Sequence, residues 1–278
     1  MAISLKKMIA TVVASAAALV AVSASADVVL PQAGNGELTL FARDNVTGVV
    51  YARGLGVFLD NFATEATTGD PGYTVPTTSQ YALPTIGPDA NMTSFLAGAA
   101  GHEIVWGVQG ADTQGSNLPT APRRLAMTSA ADIYATNAVP TTSSLSLAAA
   151  GVNTFFTSLN ANLPDAAGAS IFGAADAGGM WGNTGTAGAG SQTLAGNLNY
   201  ATVGTAMNFY LFTTNGTSAT GGGGNLSRAF QALDLTLAAN GTLSAASPVP
   251  LPAAAWLLGS GLIGLAGVGR RRRAAVAA

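Results

Sequence analysis

The chain holds a single histidine, His102, in the stretch GHEIVWG, and it is the first residue to weigh for chemistry. A His-Glu pair can supply a general base or open a zinc-binding helix. The H-E-x-x-H spacing that sets two imidazoles on one helical face is absent, and one histidine cannot build a two-histidine metal site. Apolar, strand-like residues follow it, so His102 is expected to be a loop histidine with no special role. A serine nucleophile would need the exposed strand-to-helix elbow G-x-S-x-G, which the central part of the chain lacks. Thirteen acidic residues are available for paired-carboxylate glycoside chemistry, but the sequence brings none of them together, and only Glu37, Glu65 and Glu103 are glutamates. Glycine tracts such as 221–224 lack the lysine of a phosphate-binding loop and read as a flexible loop tip. With no cysteine, thiol catalysis and thiolate metal sites are excluded together.

Two weaker candidates remain. Asp165, Asp176 and Asn183 flank one glycine tract, and Asp70 and Asp89 lie in a second long loop. Oxygen ligands from loops suit calcium, yet no D-x-[DN]-x-[DN]-G run occurs, so no cofactor is expected and calcium stays the one ion to consider. Trp181 sits between Met180 and Gly182 in a glycine loop and is the candidate ligand contact, since an exposed indole stacks on a sugar ring. Its alternative is a loop anchor folded back on the core. Trp106, inside an apolar run, belongs to the core. The expected protein is therefore not an enzyme, with a secreted hydrolase as the least favoured reading.

The elements that must position these residues are mostly strands. Leu38, Leu40 and Ala42 alternate with polar residues, the turn residues 44–48 follow, and 49–53 return, which predicts a β-hairpin. Further strands are predicted at 103–109, 124–129, 207–213 and 229–237, and Asn240-Gly241 turns the chain into a last one at 242–245. One helix is predicted over 144–163, where Leu145, Ala148, Val152, Phe155, Phe156 and Leu159 recur three or four apart before Pro164. Long connections at 63–91, 173–190 and 214–225 are rich in glycine or proline. The expected fold is mainly β: a single antiparallel β-sandwich-like domain with one helix and long Gly/Pro-rich loops, spanning residues 27–247.

The two ends differ from this middle. Residues 1–26 place Lys6 and Lys7 before an apolar run and end in Ala24-Ser25-Ala26, small residues at −3 and −1. That is the layout of a secretory signal peptide cut before Asp27, which implies export through the Sec machinery. Between the ends lie five arginines, no lysine and all 13 acidic residues, a net charge of −8 where the whole chain reads −2. A lysine-free acidic surface excludes phosphate-backbone binding, so nucleic acid is not a partner.

At the other end, residues 248–278 carry three features in order. Val249, Pro250, Leu251, Pro252 and Ala253 form an extended proline segment, because prolines extend neither a ladder nor a helix interior. Residues 253–269 are apolar or glycine except Ser260, long enough to span a bilayer as a transmembrane helix. Arg270, Arg271, Arg272 and Arg273 follow at once and hold the end on the cytoplasmic side. This tail resembles the PEP-CTERM sorting domain of Gram-negative bacteria in its VPLPA variant, with Leu251 where the namesake motif has Glu. The resemblance implies an exosortase substrate, held transiently in the inner membrane and then processed to the cell surface or extracellular matrix. It also implies an association with biofilm and exopolysaccharide, in a structural or adhesive role. The alternative is a surface-displayed carbohydrate- or calcium-binding module.

Overall fold

The computed structural model describes residues 35–62, 83–118, 122–133, 139–161, 170–173, 199–218 and 225–246. The hairpin forms as expected, from β1 (Glu37–Asp44) and β2 (Val50–Phe58), with the single-turn α1 (Leu59–Phe62) directly after it. Next come α2 (Ala90–Gly98), β3 (Ile104–Asp112), β4 (Arg124–Ser129) and α3 (Thr142–Asn160). The remainder is strands: β5 (Ser170–Gly173), β6 (Ala201–Thr202), β7 (Ala206–Thr213), β8 (Arg228–Leu237) and β9 (Leu243–Ala246).

These strands build one open, curled antiparallel sheet in the order β5-β2-β1-β3-β4-β7-β8-β9, with β6 pairing on β3. Two stacked sheets were expected, so this corrects the sandwich reading. The reason lies in β7, where Phe209, Tyr210, Leu211 and Phe212 are all buried. Successive strand residues point to opposite faces, so an unbroken apolar run demands cover on both.

On one face α3 supplies the cover. Leu145, Ala148, Ala149, Val152, Phe155, Phe156 and Leu159 make a stripe that packs on Phe41, Leu125, Met127, Tyr210 and Phe212. Phe155 meets Phe41 edge-on at 6.3 Å between ring centroids. Thr141 caps the helix by accepting from the Ser144 amide at 3.2 Å, which starts it two residues earlier than predicted.

The other face covers itself by curling. Leu38, Leu40, Tyr51, Trp106, Phe209, Leu211 and Leu235 lie in one cluster with Leu59, Phe62, Met92 and Phe95. Phe62, directly after β2, reaches Phe209 of β7 at 5.4 Å, although three strands separate β2 from β7. Phe62 stands on α1, which also packs on β3, so the contact shows the short helix laid over this face.

A second helix, α2, was not expected; one helix had been predicted, and 63–91 was read as loop throughout. Asp89 caps it, its carboxylate accepting from the Met92 amide at 2.7 Å, and Met92 and Phe95 are its buried side chains. A nine-residue helix with two buried anchors leaves almost no period to read.

Candidate functional site

The described residue with the most developed polar surroundings is His102, and the hairpin turn builds them. β1 ends at Asp44, which is 1% exposed. Its carboxylate accepts from the amides of Val46 (2.8 Å) and Thr47 (3.3 Å) and from the Thr47 hydroxyl (2.6 Å), locking the turn into β2. His102 adds a fourth partner, Nδ1 lying 2.8 Å from Asp44 Oδ2. Burial on its own would raise the Asp44 pKa. The hydrogen bonds from Thr47, His102 and the two amides outweigh it and hold the carboxyl far below the usual carboxylate range.

An ionised carboxylate only accepts, so the Nδ1 atom of His102 must carry the proton it donates. The neutral ring then presents Nε2 as an acceptor. The His102 side chain is 30% exposed whereas its Asp44 partner is buried, so the far edge of the ring is the accessible one. Beside it, Glu103 Oε1 accepts from the Asn45 side-chain amide at 2.5 Å, and the Asn45 backbone amide donates to the Glu103 carbonyl at 2.9 Å. The turn thus fixes both members of the His-Glu pair.

Both residues line an open groove of about 360 Å³. Leu96 of α2, Ala100 of the turn after it, Ile104, Thr202, Val203 and Ala239 also line it. Gly101, at φ +82°, turns the chain from α2 into β3, and the His102 amide donates back to the Ala99 carbonyl at 2.9 Å. The placement of α2 is set from its other end. Tyr51 donates to Asp89 Oδ2 at 3.0 Å and Arg53 approaches the same oxygen at 3.5 Å. Burial, then the Asp89 charge, push the Tyr51 phenol well above its ordinary range.

His102 lies in the turn before β3, as expected of a loop histidine, and Asp44 is its buried partner. Asp44 and Asn45 were missed, since each lies 58 residues from its partner. Trp106 is fully buried, as expected of core. Asp89 caps α2 through its carboxylate. Trp181, the sorting motif 249–253, Arg270 to 273, the Ala24, Ala26 and Asp27 junction and the remaining calcium candidates lie outside the described residues. Among the described residues no three His, Cys, Asp or Glu side chains converge, and no helix is long and apolar enough to cross a membrane.

No protein-family model, curated protein or solved structure matches the chain. His102 and Glu103 stand side by side in the groove, each held by a partner from the hairpin turn.

Proposed function

We propose that this chain is an exported, exosortase-processed protein of the cell surface or extracellular matrix, with a structural or adhesive role in biofilm or exopolysaccharide. Residues 1–26 direct export through the Sec machinery and are removed before Asp27. The tail is held in the inner membrane by its apolar span and Arg270 to 273 until exosortase acts at 249–253. The order of proline motif, apolar run and arginine cluster carries the reading. β9, an end strand of the sheet, finishes at Ala246, and the motif begins at Val249. The processing motif thus follows the body almost immediately.

Intact-mass measurement of the protein recovered from culture tests this. The expected mature chain begins at Asp27 and lacks Arg270 to 273; a mature chain that keeps the four arginines overturns the processing. A second reading, a surface-displayed carbohydrate-binding module, is favoured by the groove beside His102.

A further inference from the structure

We propose that the groove beside His102 binds a saccharide, with two sugar hydroxyls donating to His102 Nε2 and to the Glu103 carboxylate and the sugar's C–H face lying on the apolar wall. This rests on the second reading above and names the atoms that would do the binding.

The argument is one of complementarity. Asp44 holds the Nδ1 proton of His102, so the accessible ring nitrogen of the neutral imidazole is an acceptor. Asn45 donates to Oε1 of Glu103, and the carboxylate keeps further lone pairs that can accept. A ligand must therefore bring donors. Anions would meet the charge of Glu103 with Asp44 behind it. An apolar guest would desolvate both acceptors and give nothing back. A cation held by Glu103 and His102 would want a third side-chain ligand, and none converges among the described residues. Adjacent hydroxyls satisfy both acceptors, and Leu96, Ile104 and Val203 offer an aliphatic surface for the ring carbons. Thr202 also lines the groove, and its hydroxyl pairs with that of Thr205 at 3.0 Å. A volume of about 360 Å³ is at the small end of ligand sites, and the open side lets a longer chain pass through. The acceptors are fixed before binding, which lowers the ordering cost.

The single histidine makes its own probe. The full chain, ¹⁵N-labelled and held in a detergent without a sugar headgroup, is titrated with cellobiose, maltose and a galactose disaccharide, and in separate arms with calcium chloride and zinc chloride. At least one disaccharide should move the His102 ring signals saturably. Glu103→Ala should weaken that response about tenfold, and Ala100→Trp, which fills the groove from an exposed position, should abolish it. Parent-like far-ultraviolet circular dichroism and thermal midpoints in both unliganded variants show that the fold persists. The proposal is overturned if no disaccharide moves the signals, if the response survives both substitutions, or if only a metal ion produces it. A chain trimmed at its tail but silent to sugars overturns this inference alone. One that binds sugars but keeps its arginines overturns the processing alone.

Discussion

Asp44 is the residue on which the site turns, because one carboxylate fixes a hairpin turn and an imidazole together. The neutral form of His102 should be the Nδ1–H tautomer, readable from its ¹⁵N shifts. Asp44→Asn should reverse this, since an amide NH₂ facing the ring donates to Nδ1 and moves the proton to Nε2. The same variant should lose about 1–3 kcal/mol in denaturant unfolding, as donors of the turn lose a charged acceptor. The pH dependence follows from the depressed pKa. The stability contributed by Asp44 is complete above the unfolded carboxylate value of about 3.9 and drains as pH falls below it toward the folded value. Asp44→Asn should therefore flatten the acid limb of the stability curve. Tyr51 works in the opposite direction, because its phenol is raised. Its contribution is complete below about pH 10 and is lost as pH rises beyond, once the unfolded phenol ionises first. Tyr51→Phe should be destabilising by about 1 kcal/mol at neutral pH and show a weaker alkaline decline in thermal unfolding.

Among the elements, α3 shows best what a sequence can reveal. Its stripe of apolar residues at three- and four-residue spacing is a local pattern, and local patterns survive in one dimension. Phe156→Ala, fully buried beneath the helix, should cost about 3–5 kcal/mol by the cavity it leaves, while Leu147→Ala on the exposed face should stay within about 0.5 kcal/mol. Chemical denaturation of the two variants side by side checks the contrast. The elements that escaped notice are those whose definition is not local. β6 is two residues long and exists because β3 lies beside it; β5 is four residues long and exists because of β2. The dyad escaped for the same reason: Asp44 and His102 meet because β1 pairs with β3 in a register that sets Asp44 opposite Ile104. Once that register is known, the contact between position 44 and the residue two before Ile104 is close to unavoidable. Even the two-sided burial of β7 was written in MNFYLFT, where an unbroken apolar run argues against a strand with one wet face.

At the scale of the whole molecule, the two apolar clusters are coupled because they share the same strands. Leu40 faces the curled side and Phe41 faces α3; Leu211 and Phe212 divide in the same way on β7. Neither face can lose its packing without releasing the backbone that supports the other. α1 strengthens this, since Phe62 against Phe209 ties the segment directly after β2 to β7. The body should accordingly unfold in one step, although its two cores share no side chain. Phe62→Ala weakens one face and Phe155→Ala the other, each by about 3–5 kcal/mol. Both should lower the midpoint of a single transition, with far-ultraviolet circular dichroism and the emission of buried Trp106 moving together. Separate transitions, with Phe155→Ala shifting only the helix signal, would show instead that α3 docks on a sheet already stable without it. A single transition would also keep the strand edges covered in a chain that has no disulfide to hold them, because partial opening is what exposes such edges.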